Sequence, residues 1–272
     1  MTYLAIGILL IVTSILIYKA YSNTKDIKFN KINIDCEKAP TLSSLSILHL
    51  SDLHLENISI TPDELEQKLV GETPDIIALT GDFLDRKKSI PRLGPYLEVL
   101  QKMQPKYGMY AVLGNHDYVL KDIDLSHLKQ TLLDYNCSVL QNQHKTLLIN
   151  EHPVNIIGID DYSTNRSNVE KAFHGAARGM NLVLTHDPTV VLEMEDQSFD
   201  YLLAGHFHGG QICYPKAYHL VKMGKLARKN IVKGLHKQYG CPFYISEGLG
   251  QTGFNIRIGS RPEITTHTIS GY

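Results

Sequence analysis

The sequence predicts an α/β domain. Short, almost continuous apolar runs alternate with stretches of helical periodicity, the pattern of strands covered on both faces and linked through helices. Five of those runs deliver Asp, His or Asn into the loop that follows: Asp52-x-His54, Gly81-Asp82, Gly114-Asn115-His116-Asp117, His186-Asp187 and Gly205-His206-x-His208. Open α/β sheets build their sites at the carboxyl ends of strands, so one pattern points both to the architecture and to the place of its chemistry.

The elements follow in chain order. Tyr3 to Tyr18 carries no charge and is mostly Ile, Leu and Val. At ~1.5 Å rise per residue this run spans roughly 24 Å, a little short of a hydrocarbon core of about 30 Å. Tyr3, Tyr18 and a snorkelling Lys19 extend its reach. Three readings compete. A buried core helix would show a polar face, and this run has almost none. A cleaved signal peptide needs a basic start and a small-x-small site, whereas only the α-amino group precedes the run and Tyr18 stands two positions before Ala20. A single membrane anchor is the preferred reading. Lys19, Lys25, Lys28 and Lys31 follow it and no basic side chain precedes it, so the positive-inside rule predicts the remaining chain on the cytoplasmic side.

The expected organisation is an anchor and linker over residues 1–24 and one domain over 25–272. From about Ile27 onward there is no repeat, low-complexity tract or Gly/Ser linker. Strands are expected at Ser46–Leu50, Ile76–Thr80, Met109–Leu113, Val154–Ile159, Leu182–Thr185, Tyr201–Ala204, Phe243–Ser246 and Ile264–Ile269. Thr61-Pro62-Asp63-Glu64 reads as a capping box with proline at the first helical position, ahead of Leu65 and Leu69. Leu128, Leu132, Leu133 and Tyr135 after Ser126 have helical spacing. Asp187-Pro188 reads as the cap and first residue of a helix through about Glu195.

Composition narrows the function. The 272 residues are 43% apolar and 20% charged, which excludes a disordered chain and leaves enough to bury a core. Lys and Arg number 27 against 28 Asp and Glu, a net charge of −1 that argues against a globally basic nucleic-acid binder; no nucleic-acid partner is expected. The four cysteines are far apart, with no Cys-x-x-Cys, which favours a reducing compartment. Thirteen histidines against no tryptophan is the unusual feature.

Each motif alone has an ordinary explanation. Asp52 after a strand is turn or cap chemistry, Gly81-Asp82 is a turn, and His186 could simply sit beside a helix cap. Gly205-His206-x-His208-Gly209-Gly210 is sharper, because two histidines among three glycines suit a backbone wrapped around an ion. Jointly, Asp52, His54, Asp82, Asn115, His186, His206 and His208 are too many donors for one tetrahedral zinc. They suit two divalent cations about 3.5–4 Å apart sharing a carboxylate, and mixed imidazole and carboxylate favours Mn, Fe or Zn over calcium.

In this order the motifs resemble those of the calcineurin-like metallophosphoesterases over roughly Ser46 to Gly210. The tail with Glu247-Gly248-Leu249-Gly250 and Arg261-Pro262-Glu263 is similar to a membrane-anchored bacterial phosphodiesterase branch, although Glu247 stands where that branch carries a basic or small residue. The resemblance implies a two-sheet β-sandwich flanked by helices, in αββα layers, behind the amino-terminal apolar helix. It implies that Asp52, His54 and His208 hold one metal, that Asn115, His186 and His206 hold the other, and that Asp82 bridges them. His116 would be a non-ligand acid protonating the leaving oxygen, with Asp117 orienting its ring.

The activity implied is a dinuclear metal-dependent phosphoesterase, a phosphodiesterase or pyrophosphatase using metal-activated hydroxide. Its substrate would be lipid-linked or envelope-related, such as a UDP-linked acylated sugar. The alternatives are a phosphomonoesterase or protein phosphatase, or a non-catalytic scaffold on the same fold; retention of every ligand and of His116-Asp117 disfavours the scaffold. One stretch stands apart: between Tyr201 and Ser246 there is no Asp or Glu, while Lys216, Lys222, Lys225, Arg228, Lys229, Lys233 and Lys237 interleave with apolar residues. It is either a solvated face or a basic apolar flap facing anionic lipid.

Overall fold

The computed structural model describes residues 2–36 and 44–271. Its helices are α1 (Thr2–Ser22), α2 (Pro62–Leu69), α3 (Ile90–Lys102), α4 (Asp122–Asp134), α5 (Val169–Phe173) and α6 (Lys225–Arg228). The first strands are β1 (Lys28–Asp35), β2 (Leu45–Leu50), β3 (Ile76–Thr80), β4 (Met109–Val112), β5 (Cys137–Val139) and β6 (Gln143–Ile149). The others are β7 (His152–Gly158), β8 (Met180–Leu184), β9 (Tyr201–Ala204), β10 (Gly234–Gln238), β11 (Cys241–Ile245) and β12 (Glu263–Ser270). They form two six-stranded sheets, in the orders β1-β12-β2-β3-β4-β5 and β10-β11-β9-β8-β7-β6.

Strand alternation sends each sheet's side chains into two separate cores, which makes the αββα layering. In β3, Ile76 and Ala78 point between the sheets, where they meet Val154, Leu182 and Leu203 of the second sheet. Ile77 and Leu79 point the other way, against Leu65 of α2, Leu97 of α3 and Leu128 of α4. In the second sheet, Val183 and Leu202 face outward onto Val190, Leu220 and Leu226. The expected two-sheet sandwich flanked by helices is therefore the architecture.

Strands β2, β3, β4 and β5 run parallel in the first sheet, and β7, β8, β9 and β11 run parallel in the second. The ends of β2, β3 and β4 thus open along one edge of their sheet, and those of β8 and β9 along one edge of theirs. The capping box is formed: Thr61 Oγ1 accepts from the Glu64 amide at 3.2 Å and the Thr61 amide donates to Glu64 Oε2 at 2.7 Å. Helix α4 starts a turn before the expected pattern, so Ser126 lies inside it and donates to the Asp122 carbonyl at 2.8 Å. Asp187 does cap, accepting from the Thr189 amide at 2.8 Å, but the helix it starts is a 3₁₀ helix over Pro188–Glu193.

Helix α1 has 21 residues, about 31 Å at 1.5 Å each, longer than the charge-free run suggested and enough to cross a hydrocarbon core. Only Ala20 within it is buried. Its end is fastened to the domain. The Arg257 amide donates to the Ala20 carbonyl at 2.9 Å, Asn23 Nδ2 donates to the Arg257 carbonyl at 2.8 Å, and Thr24 Oγ1 donates to Ser59 Oγ at 2.8 Å.

Candidate metal centre

The loops after β2, β3, β4, β8 and β9 bring all seven candidate ligands to one place. Three groups of ligand atoms converge, each with its members within 4.8 Å of one another: Asp52, His54 and His208; His54, Asp82 and His116; Asp82, His186 and His206. Asn115 joins the last group, its Oδ1 lying 3.2 Å from His186 Nε2. Asp82 belongs to two groups, with Oδ2 at 3.4 Å from His54 Nε2 and 3.1 Å from His186 Nε2.

The backbone bends to make this possible. Asp52, His54, Asp82, His206 and His208 all have left-handed φ, between 39° and 76°. Such conformations are costly for residues with a Cβ and collect where function over-determines the geometry. The glycines beside them leave room. A Cβ on Gly205 would collide with the Asp52 carboxylate and the Ser51 hydroxyl, and one on Gly114 would collide with the Asp82 carboxylate.

Ring orientation is set from outside. His186 Nδ1 donates to the Thr80 carbonyl at 2.8 Å, His208 Nδ1 to the Gly250 carbonyl at 3.2 Å, and His54 Nδ1 to Asp85 Oδ1 at 3.0 Å. With each Nδ1 committed as a donor, the neutral ring presents its Nε2 lone pair inward, the arrangement typical of metal-binding histidines. His54 Nε2 is buried and has no hydrogen-bond partner. His206 Nδ1 faces His186 Nε2 at 3.1 Å. An unpaired His54 Nε2 and imidazole nitrogens crowded within 3.1 to 3.4 Å of two buried carboxylates fit divalent cations.

The electrostatics point the same way. Burial works to raise the Asp82 carboxyl, but His186 and His54 outweigh it and hold it well below the usual carboxylate range. Burial pulls His54 down, yet Asp82 and Asp85 override it and push the ring up to about 10. Burial takes His208 down to about 3 against the pull of Asp52, leaving a neutral ring. A cation binding between His54 and Asp82 would displace a proton from the ring, so occupancy should rise with pH.

His116 sits at the lip of the centre, its side chain 32% exposed. Its amide donates to Asp82 Oδ1 at 2.9 Å. The expectation that Asp117 orients its ring is corrected by the geometry. The Asp117 carboxylate faces away and accepts from the amides of Asp82, Phe83 and Gly114, each at 2.9 Å, so it shapes the turn that carries Asp82. The ring partner is Asp85, whose Oδ1 lies 2.9 Å from His116 Nδ1 and also takes His54 Nδ1. Sequence reasoning missed Asp85, although a second acid three residues after Gly81-Asp82 was the available signal. It also missed Arg257. That side chain is fully buried and donates to the carbonyls of Glu247, Gly248, Gly250 and Arg261 at 2.7 to 3.0 Å, bracing the loop that holds His208.

Two grooves leave the centre. One, of about 360 Å³, has Asp82, His116 and His208 on its floor and Ile212, Leu220 and Phe254 along its sides. The other, of about 650 Å³, is lined by Tyr162, Ser163, Asn165, Ser167 and Lys222. They share Asn115, His206 and Met223. The surface of the first is mainly apolar despite the polar groups on its floor, whereas that of the second is an even mixture of polar and apolar.

Comparison with known proteins agrees with the site. A family model described as calcineurin-like phosphoesterase matches residues 45–210. The uncharacterized metallophosphoesterase YkoQ of Bacillus subtilis strain 168 is 61% identical over 254 residues, covering 93% of this chain and 94% of YkoQ. A transmembrane protein with a metallophosphoesterase domain from Danio rerio is 30% identical over 94% of this chain, which spans only 60% of that protein. The UDP-2,3-diacylglucosamine pyrophosphatase LpxG of Chlamydia muridarum is 28% identical over 84% of each chain.

Proposed function

The chain belongs to the calcineurin-like phosphoesterase family and is a metal-dependent phosphoester hydrolase, and we propose that it cleaves a phosphodiester or pyrophosphate joining an apolar group to a polar one. One observation carries this reading. Two grooves of different character meet over the candidate ligands at Asn115 and His206. A monoester puts one substituent on phosphorus and needs one groove. A diester or pyrophosphate puts a substituent on each side.

The proposed assignment of ligands follows the three groups of converging side chains. Asp52, His54 and His208 would hold one ion, Asn115, His186 and His206 the other, and Asp82 both. When bound, two such ions supply Lewis acidity and lower the pKa of a coordinated water toward neutrality. The chain supplies the remainder. His116, beside Asp82 at the mouth of the apolar groove, would hydrogen-bond a phosphoryl oxygen and give its proton to the leaving oxygen. Burial pulls the ring down, but Asp85 and Asp82 outweigh it and raise it above its usual value, which keeps the proton available near neutral pH. Asp117 acts through the Asp82 turn.

A nucleoside-diphosphate-linked acyl sugar has the required shape, the acyl group for the Phe254 side and the nucleotide for the Tyr162 side; the name of the chlamydial relatives supports that class. We read α1 as a retained anchor with the domain on the cytoplasmic side. Burial of Ala20 against the domain and the hydrogen bond from the Arg257 amide to its carbonyl support retention, because cleavage after Ala20 would remove both.

The test uses the full chain in detergent, stripped and reloaded with Mn²⁺. Bis-p-nitrophenyl phosphate and p-nitrophenyl phosphate are compared, with His116→Ala as control. Metal-dependent cleavage favouring the diester and lost in the variant is expected. Preference for the monoester would replace the reading with a phosphomonoesterase.

A further inference from the structure

We propose that the rim of the apolar groove is a bilayer-contacting surface and that its partner is an anionic lipid membrane. The inference rests on reading α1 as a membrane anchor and deepens the substrate reading above. It starts from exposure. Phe254 is 80% exposed, Tyr214 83%, Tyr218 63% and Ile212 40%, and two of these, Ile212 and Phe254, also line the groove over the metal ligands. Large apolar side chains held in water around the mouth of a site are costly unless something covers them.

What covers them is indicated by where α1 ends. The Ala20 carbonyl takes the amide of Arg257 at 2.9 Å. The next residue, Ile258, pairs with Ile212, and its amide donates to the Gln211 carbonyl at 2.8 Å. Gln211 Nε2 in turn donates to the carbonyls of Thr252 and Phe254, both at 2.9 Å. The last turn of the apolar helix is thus joined to both sides of the rim by an unbroken set of short hydrogen bonds. The rim is therefore fixed close to the point where α1 would leave a bilayer.

Charge identifies the lipid. Lys216, Lys222, Lys225, Arg228 and Lys229 are exposed within a stretch from Tyr201 to Ser246 that contains no acid. Basic side chains interleaved with Tyr and apolar residues suit an anionic headgroup layer. With the groove opening at that layer, an acyl-bearing substrate can present its phosphorus to the ligands while part of its apolar chain stays in lipid.

The chain has no tryptophan, so a single one reports its own surroundings. Full-length Phe254→Trp is reconstituted in phosphatidylglycerol vesicles with and without brominated acyl chains. Val70→Trp, 78% exposed at the end of α2, is the comparison. Matching melting temperatures establish that both fold. The expected result is blue-shifted emission for Phe254→Trp, quenched by bromine at least three-fold more than Val70→Trp, and weaker quenching in phosphatidylcholine. Emission from Phe254→Trp as red and as unquenched as Val70→Trp overturns the proposal. A blue shift that bromine leaves untouched and that grows with protein density assigns the rim to a second copy of the chain and also overturns it. Equal quenching in phosphatidylcholine removes the anionic requirement. Emission needs no turnover, so failure of this surface and failure of the diesterase reading are separate results.

Discussion

The two sheets give unequal chemistry to one centre. Among the candidate ligands, the first sheet supplies the carboxylates Asp52 and Asp82 together with His54 and Asn115, whereas the second supplies imidazoles alone, His186, His206 and His208. Asp187 follows His186 directly, but its carboxylate is spent on capping Thr189. Neither sheet carries a complete site. The group of Asp52, His54 and His208 and the group of Asp82, His186 and His206 each need both sheets, so ions bound there would staple the sandwich at its open edge. The proposed acid follows the same division, since His116 and its partner Asp85 both come from the first sheet.

The comparison can be broken most severely at Asp82, where the two groups meet. Asp82→Ala should lose both ions and all measurable turnover, read by metal analysis of the purified full chain. Retention of two ions at normal affinity would refute the bridge. His116→Ala should keep both ions and lower turnover by about 10²–10⁴, the range of a general acid. Loss of metal in that variant would move His116 into the ligand set.

A smaller effect is expected at Asp85, which touches a candidate ligand and the proposed acid at once. Asp85→Asn should reduce turnover by roughly 10–100-fold, as for other outer partners of ligating histidines. Its pH profile separates positioning from simple damage. As the proposed acid, His116 would act when protonated, so turnover should fall as pH rises through its raised pKa. Removing the Asp85 charge leaves Asp82 alone to oppose burial, and the alkaline limb should move to lower pH. An unmoved limb would return Asp85 to a structural role.

Chelation tests the staple itself. Each ion bound at a hundred times its Kd should add about 2.7 kcal/mol of stability, seen as a lower Tm of the stripped protein. The mildest change is in the second, more polar groove. Asn165→Ala should raise KM for a substrate with a polar substituent by about five-fold, near 1 kcal/mol for a hydrogen bond, with kcat unchanged. An equal rise for bis-p-nitrophenyl phosphate would show that the groove does not distinguish the two ends.

Legibility in the sequence divides along the same sheets. The eight strands expected from apolar runs are the eight interior strands, β2, β3, β4, β12, β7, β8, β9 and β11. The four that were missed, β1, β5, β6 and β10, are the four edges. Lys28-Phe-Asn-Lys-Ile-Asn-Ile-Asp and Gly234-Leu-His-Lys-Gln carry charge and polarity because an edge must resist pairing with another chain, and those residues erase the apolar signal. Helix α3 was hidden by Pro91, Gly94 and Pro95, which read as breakers, although Pro91 lies in its first turn and its buried face carries Leu93, Leu97 and Leu100. The candidate ligands that the fold gathers in one place stood out in the sequence because loops at strand ends rarely concentrate His and Asp. Asp85 and Arg257 were not, because one acts through two rings and the other through carbonyls, and backbone partners leave no mark on the sequence.

The hydrogen bonds between Arg257 and residues 20 and 23 have a kinetic consequence. A flexible tether of ten residues would let a domain wander by roughly 17 Å from its anchor. Here there is no slack. With α1 in a bilayer, the centre stays at one height above it and searches only sideways. If the substrate is a lipid of that same membrane, as proposed, the encounter rate would follow the number of substrate molecules per unit area. Diluting the substrate with inert lipid should then slow the enzyme even when the total amount of both in the tube is unchanged.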